Sequence, residues 1–374
     1  MSDKYKDYVM TYSLNKLSET ARTFRRLGDA YESTDMETDE YKGFSRQLFL
    51  VADILDDCMT MHLHTQELSK EQVHDIIGRG VLSGIRIRNI RMVTGRNGKK
   101  ELILQARTMG KGCVSARKME AILKVSLGNA FFPQDTNRII INDEYHQYVY
   151  YQEDRFRILS AVARHSKYKN DLSGDNFLMQ KLFCGKMVAA ISDGCGSGKR
   201  AFVESRMVIE LMENCIDAGF EEKTAIDLIN AAYIAGKGLG NPVTMDMSII
   251  DCQTGMLHCM KLGAVSTFIK RDCWVEIIKS TTLPMGVLEK ADYDCTTKKL
   301  YDGDYVIMIS DGILDNIPGV DKEEKMVDII NSISEKNPKV IASKILEKSL
   351  EYNKMEAFDD CTVLVLGLFD TYDN

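Results

Sequence analysis

Apolar residues recur at three- and four-residue steps over the first sixty positions of this chain and at two-residue steps over much of the remainder. Leu14, Leu17, Ala21, Phe24 and Leu27 form one helical stripe, and Phe44, Leu48, Val51, Leu55 and Met59 form a second. The spacing predicts two helices between Val9 and His64, separated around Tyr31-Glu32-Ser33-Thr34-Asp35. Each stripe needs a partner, either within its own domain or across a helical arm or dimer seam. Ser69-Lys70-Glu71-Gln72 has the pattern of a capping box that opens a short helix stopping near Gly78-Arg79-Gly80. Period-2 alternation at Ile85, Ile87, Ile90 and Met92, a turn at Gly95-Arg96-Asn97-Gly98 and a run through Leu102-Ile103-Leu104 predict a hairpin. A helix over 115–127 and strands near 138–141 and 148–151 complete an α+β module expected to end at residue 152.

From 153 to 374 the pattern changes. Strands are predicted over 156–164, 177–182, 186–192, 245–250, 257–261, 267–270, 304–310 and 362–369. Helices are predicted over 201–218, 223–235, 323–334 and 338–352. Runs of strands interrupted by paired helices favour packed antiparallel sheets with helices outside, rather than alternating βαβ units. The fold class is therefore α+β, with a helical and α+β region over 1–152 and a second domain over 153–374.

Composition narrows the class. The 374 residues are 44% hydrophobic and 28% charged, as expected for a globular protein, and the net charge of −7 argues against a nucleic-acid partner. Ten cysteines carry no CxxC pair, which points to reduced, buried thiols. No apolar run approaches the ~20 residues that cross a bilayer, and the opening residues lack the apolar core of a signal peptide. The expected location is cytoplasmic, or membrane-associated if a longer parent carries a membrane region.

The chemistry sits in three acidic turns. Ser192-Asp193-Gly194 follows Val188-Ala189-Ala190-Ile191, Ser310-Asp311-Gly312 follows Tyr305-Val306-Ile307-Met308-Ile309, and Asp359-Asp360-Cys361-Thr362 precedes Val363-Leu364-Val365-Leu366. One Asp-Gly is an ordinary turn. Two of them after apolar strands, with an Asp-Asp before a third, would crowd carboxylates together if the ends converge. A hard divalent cation would offset that repulsion, and glycine lets a tight turn aim its carbonyl at the ion.

Asp193-Gly194-Cys195-Gly196-Ser197-Gly198, Thr244-Met245-Asp246-Met247-Ser248-Ile249-Ile250-Asp251, Lys261-Leu262-Gly263, Leu283-Pro284-Met285-Gly286, Ser310-Asp311-Gly312-Ile313 and Asp359-Asp360-Cys361-Thr362-Val363 occur in this order. The order resembles that of SpoIIE-like members of the metal-dependent PPM protein phosphatases over residues 153–370. The preceding region looks like the regulatory region of that family. The resemblance implies an αββα sandwich and a serine/threonine protein phosphatase with two Mn2+ or Mg2+ ions. It makes Asp193 the bridging ligand and the Gly194 carbonyl an additional one. Asp311 and Asp359 would complete one metal position, and Asp175 would serve the other. Asp193, Asp311 and Asp359 would act in catalysis through metal-bound water, so no nucleophilic side chain is required. Asp359 is preferred over Asp360 as the ligand. Asp246 and Asp315 are weaker candidates for an outer or third-metal role, with structural hydrogen bonding the competing reading of each.

The implied substrate is a phosphoserine protein of the anti-anti-sigma kind, the implied output is sigma-factor control, including sporulation, and a homodimer through the N-terminal helices is a further expectation. Some positions depart from the family pattern: Lys199 stands where glutamate is common, Cys361 replaces a methionine, and the phosphate-holding arginine of the eukaryotic branch has no counterpart. Cys195 reads as packing. Two alternatives stand beside the phosphatase: a non-catalytic scaffold that keeps the fold, and a hydrolase of a small phosphate compound. A nucleotide-phosphate loop at Gly194 to Gly198 lacks P-loop spacing.

Overall fold

The computed structural model describes residues 3–32, 48–53, 55–56, 64–66, 68–94, 99–133, 138–167, 173–182, 185–194, 199–217, 222–235, 242–288 and 290–371, with Ser45 and Phe220 besides. The predicted hairpin turn at 95–98, the glycine loop 195–198 with Cys195, and the two ends of the second helical stripe, Phe44 and Met59, lie outside the described residues.

The N-terminal helix α1 (Asp3–Glu32) packs on a second helix, α2 (residues 48–53). The two helices meet on a face offset from the predicted stripes: Ala21 and Ala52 are buried, a Cβ on Gly28 would sit 2.8 Å from the Phe49 ring, and Leu27 stays exposed. Arg25 on α1 pairs with Asp53 and Asp56 across the same contact. Predicted helix gives way to strand at β1 (His64–Gln66), which pairs with the next strand.

The capping box forms as predicted, with Ser69 accepting from the Gln72 amide and the Gln72 side chain accepting from Ser69. The helix it opens, α3 (Lys70–Leu82), runs past the predicted stop. Gly80 is a close-approach residue rather than a terminator, since a Cβ there would stand 2.5 Å from Ile87. Strand β2 (Ile85–Thr94) changes phase midway: Ile85 and Ile87 point inward, then Met92 does, with a bulge between Arg88 and Arg91 and Asn89 at φ 51°. The shift from odd to even apolar positions is the sequence trace of that bulge. Strands β3 (Lys100–Thr108), β5 (Phe131–Pro133) and β7 (His146–Gln152) complete a five-stranded antiparallel sheet ordered β1-β2-β3-β7-β5. Helix α4 (Arg117–Leu127) covers it, burying Met119, Ile122 and Leu123 against Leu102, Leu104, Tyr148 and Tyr150. A small ribbon of β4 (Val114–Ser115) and β6 (Ile140–Ile141) lies beside it.

Two further sheets form the sandwich. One is ordered β15-β12-β11-β10-β9 and the other β14-β13-β16-β17-β8, antiparallel throughout. Their strands are β8 (Phe156–His165), β9 (Asp175–Lys181), β10 (Lys186–Gly194), β11 (Val243–Asp251), β12 (Met256–Leu262), β13 (Thr267–Arg271), β14 (Trp274–Ile278), β15 (Asp294–Lys299), β16 (Tyr305–Ile309) and β17 (Cys361–Asp370). Helices α5 (Lys199–Asp217) and α6 (Glu222–Ala235) cover the first sheet, and α7 (Asp311–Asp315), α8 (Lys322–Asn331) and α9 (Pro338–Glu351) cover the second. This is the expected αββα architecture. Its three cores follow the period of two: on β10, Val188 and Ala190 face the helices, while Met187, Ala189 and Ile191 face the opposite sheet. Strands β14 and β15 and the short helix α7 are additions to the predicted elements.

The thiols depart from expectation in part. Cys215, Cys252, Cys259 and Cys361 are buried, whereas Cys113, Cys273 and Cys295 are exposed. Among the described residues no helix is long and apolar enough to cross a membrane.

Candidate metal centre

The same alternation that fills the inter-sheet core also builds the site. Continuing the inward-facing register of β10 beyond Ile191 reaches Asp193; on β9, inward Phe177 is preceded by Asp175. Asp175 and Asp193 are cross-strand partners, so their side chains share a face. On the opposite sheet, inward Val306 and Met308 lead to Ser310, and inward Leu364 is preceded by Thr362 and Asp360. One end of an apolar layer therefore turns polar in both sheets at once.

Glycine sets how closely the turns approach. A Cβ on Gly194 would lie 2.4 Å from the Ala201 carbonyl oxygen, and one on Gly312 would lie 2.2 Å from that of Asp360. The first contact brings the start of α5 onto the Asp193 turn, and the second brings α7 onto the Asp359-Asp360 segment. Ser310 stitches the second junction: its hydroxyl accepts from the Thr362 amide at 2.8 Å and donates to the Asp360 carbonyl. Asn176 donates to Ser205 Oγ at 2.8 Å, fastening α5 to the start of β9.

The neighbouring acids of the Asp-Asp pair have different duties. Asp360 accepts from the Lys167 amide at 2.9 Å through Oδ1 and from the Gly174 amide at 2.6 Å through Oδ2, which anchors the segment between β8 and β9. Both of its oxygens are thus engaged in structure. Among the described residues, the Asp359 carboxylate accepts only from the adjacent Asp360 amide. Asp246 is 2% exposed and paired with Lys261 at 2.6 Å, while Asp315 is exposed and pairs with Lys322 at 2.7 Å.

Electrostatics show how costly the cluster is. Burial drives the Asp193 pKa up, and the charges of Asp175, Asp311, Asp359 and Asp360 add to the rise. Burial also raises Asp175 against the pull of the Thr362 and Ser310 hydroxyls, with Asp311 and Asp360 repelling it further. Asp311 rises through burial and the charges of Asp359 and Asp315. Asp175 is 1% exposed, and among the described residues neither of its carboxylate oxygens has a hydrogen-bond partner within bonding geometry, although its carbonyl accepts from Arg164 at 2.6 Å. A buried carboxylate without a partner is expensive.

Among the described residues, no three acidic, histidine or cysteine side chains are drawn tightly enough together to hold one ion. Mutual repulsion opposes such contraction, and the donor set itself fits a hard cation: carboxylates, a turn carbonyl and an orphaned carboxylate at one end of a sandwich. Sequence reasoning missed Lys261, Thr267, Ser310 and Thr362. The signal for Lys261 was present: it follows Leu257 and Cys259 at two-residue steps, a charge on the inward face of a strand.

Residues 184–369 match the family described as Stage II sporulation protein E (SpoIIE). Stage II sporulation protein E from Bacillus subtilis (strain 168) is 32% identical over 214 residues, covering 57% of this chain and 26% of the relative. Its counterpart from Priestia megaterium is 33% identical over 210 residues, covering 56% of this chain and 36% of the relative. The chain therefore spans about a quarter to about a third of the length of these curated relatives. A solved structure of the PP2C phosphatase domain and a fragment of the regulatory domain of the cell fate determinant SpoIIE from Bacillus subtilis aligns with a TM-score of 0.60 at 26% identity. That likeness covers 80% of this chain and 87% of the solved one, more than residues from 153 onward can supply, so it reaches into the N-terminal module. The chain is therefore a SpoIIE-like member of the PPM, or PP2C, phosphatases, with its family match in residues 184–369.

Proposed function

We propose that this chain is a Mn2+- or Mg2+-dependent protein serine/threonine phosphatase whose site is the acidic end of the sandwich. The observation that carries the reading is Asp175, buried with both oxygens unpartnered and held across from Asp193. Asp193, the Gly194 carbonyl, Asp311 and Asp359 are the further ligands in this reading, and Asp175 serves the second ion. Two bound ions would supply an activated water and positive charge against the phosphate. The chain's own residues place those donors: Gly194 and Gly312 permit the close turns, Ser310 and Thr362 fix the two strand ends, and Asp360 holds the β8–β9 segment in place.

The substrate in this reading is a phosphoserine protein of the anti-anti-sigma kind, and the output is sigma-factor control, including sporulation. Support comes from the family and from the description of the Bacillus subtilis protein as a cell fate determinant. The homodimer through the N-terminal helices is carried by the outer face of α1, where Leu27 stays 44% exposed. Sedimentation that finds a monomer at every concentration removes that part.

The test is phosphate release from a phosphoserine protein and from a small aryl phosphate, with and without Mn2+, for the wild type, Asp193→Asn and Asp311→Asn. Mn2+-dependent release from the protein that both variants abolish supports the proposal. Release from the aryl phosphate alone favours the small-compound hydrolase. A folded, Mn2+-supplied chain inactive on both leaves the scaffold.

A further inference from the structure

Behind the acidic cluster lies a cavity of about 40 Å3, lined by Ile191, Asp193, Thr244, Asp246, Ser310 and Asp311 together with the Gly263–Val265 turn. Its floor is unusual in charge. Lys261 is 1% exposed, and its ammonium spends all three protons: on Asp246 Oδ2 at 2.6 Å, on the Val265 carbonyl at 2.6 Å and on Thr267 Oγ1 at 2.8 Å. Thr267 in turn donates to the same Asp246 oxygen. Asp246 and Lys261 are cross-strand partners on β11 and β12, whereas Thr267 opens β13 of the other sheet. The triad therefore crosses the gap between the sheets at the end where the acids gather. Asp246 also pairs in register with Ile191, two residues before Asp193.

Asp246 has a second oxygen. Oδ1 is buried and has no hydrogen-bond partner, although Oδ2 is doubly engaged. A buried carboxylate oxygen at a polar cavity large enough for a water calls for one, and the water needs two or more polar partners. Asp193, Asp311, Thr244 and Ser310 supply them around the same cavity. We propose that Lys261 and Asp246 form a positioning pair for the metal centre, and that Asp246 Oδ1 accepts from a water in this cavity that links it to the carboxylates of Asp193 and Asp311. Lys261 fixes the Asp246 rotamer, Asp246 orients the water, and the water orients the ligands. Outer partners of this kind set ligand direction and metal affinity in metal sites generally. Neither residue touches substrate, so both are positioning residues. The inference rests on the reading of this end of the sandwich as a metal centre.

Removing Lys261 alone would strand a buried charge and unfold much of the protein. The informative variants are the paired apolar replacement Lys261→Met with Asp246→Leu, which removes both charges together, and its polar control, Lys261→Met with Asp246→Asn. Mn2+ affinity of the full chain is measured by calorimetry, and melting is followed without metal. The expected result for the paired variant is a cooperative melt without metal and Mn2+ binding weakened by about 10–100-fold. The polar control, which keeps an oxygen for the water and strands no charge, recovers most of the affinity. A folded paired variant that binds Mn2+ as tightly as the wild type overturns the inference while leaving the metal centre intact. A wild type that binds no Mn2+ overturns the metal centre itself, and the inference with it.

Discussion

The hairpin of β9 and β10 buries carboxylates at both of its ends, and the two ends treat them in opposite ways. At the turn end, Asp154 receives Lys99 on Oδ1 at 2.8 Å and Lys181 on Oδ2 at 2.8 Å. Gly185 completes this contact at φ 80°, because a Cβ there would fall 2.6 Å from Asp154. At the open end, Asp175 and Asp193 face each other in register, and the Asp175 carboxylate has no hydrogen-bond partner among the described residues. Burial alone therefore does not mark a functional acid. What marks it is burial of carboxylates that form no ion pair among the described residues, as at the strand ends where β9 and β10 meet α7 and β17.

The largest effect should come from breaking the open end. Asp193→Asn is expected to lower Mn2+-dependent phosphate release by about 10^3-fold, about 4 kcal/mol of transition-state stabilisation. The same change should stabilise the metal-free protein by about 1 kcal/mol, since it removes a carboxyl whose ionised form burial and its acidic neighbours disfavour. Steady-state turnover and urea denaturation without metal test the two halves. A variant that loses stability as well as activity would return Asp193 to an ordinary structural role.

The turn end predicts the opposite sign. Lys99→Met leaves Asp154 buried with Lys181 alone and should cost about 2 kcal/mol of stability. Gly312→Ala is comparable, about 2–3 kcal/mol, because its methyl would meet the Asp360 carbonyl at 2.2 Å. Lys99→Met should leave Mn2+ affinity unchanged, as it lies at the far end of the hairpin. Chemical denaturation and calorimetry on the same samples separate the two ends, and a drop in Mn2+ affinity for Lys99→Met would show that they communicate.

Acidity distinguishes the ends without mutation. Burial raises the folded-state pKa of Asp175 to about 7 and of Asp193 to about 9, against an ordinary carboxylate value of 3.8. A group whose folded pKa lies above its unfolded one binds protons more tightly when folded. Its contribution to stability is full below the unfolded value and is lost as pH rises through the folded one. The metal-free protein should therefore lose stability as pH rises from about 4 to about 9, by about 1.4 kcal/mol per pH unit for each extra proton the folded state holds, most steeply below about pH 7 where both carboxyls hold one. Mn2+ should flatten the profile. A melting temperature without Mn2+ that rises over this range would contradict the description of the open end.

Much of this contrast was legible before any coordinates. The run Val188 to Ile191 ends at Asp193, and alternation alone puts Asp193 on the same face as Met187 and Ile191. The preference for Asp359 over Asp360 came from the family pattern alone, since adjacent identical residues carry no local difference; in the structure the amides of Lys167 and Gly174, nearly two hundred residues away in sequence, engage Asp360. Strand β15 escaped because Asp294-Cys295-Thr296-Thr297-Lys298-Lys299 is a polar edge strand paired on one side only, with little apolar alternation to betray it. The predicted stop at Gly80 failed for a related reason: a glycine can end a helix or let a neighbour press against it, and the sequence writes both the same way.

The smallest expected effect belongs to Asp315, and it sharpens the boundary of the open end. Asp315 is exposed, pairs with Lys322, and adds to the raised pKa of Asp311 only after burial and Asp359. An exposed ion pair contributes about 0–1 kcal/mol, so Asp315→Ala should move stability by about 0.5 kcal/mol or less. A ligand would behave otherwise. Loss of a coordinating carboxylate should weaken Mn2+ binding by tenfold or more, whereas loss of a distant like charge should leave it within about threefold, because solvent screens the interaction. Calorimetric titration of Mn2+ into Asp315→Ala decides between them. An unchanged affinity confines the centre to Asp175, Asp193, Asp311 and Asp359, the acids without lysine partners among the described residues; a tenfold loss extends it to the far end of α7 and makes the Lys322 pair a latch that must open when metal binds.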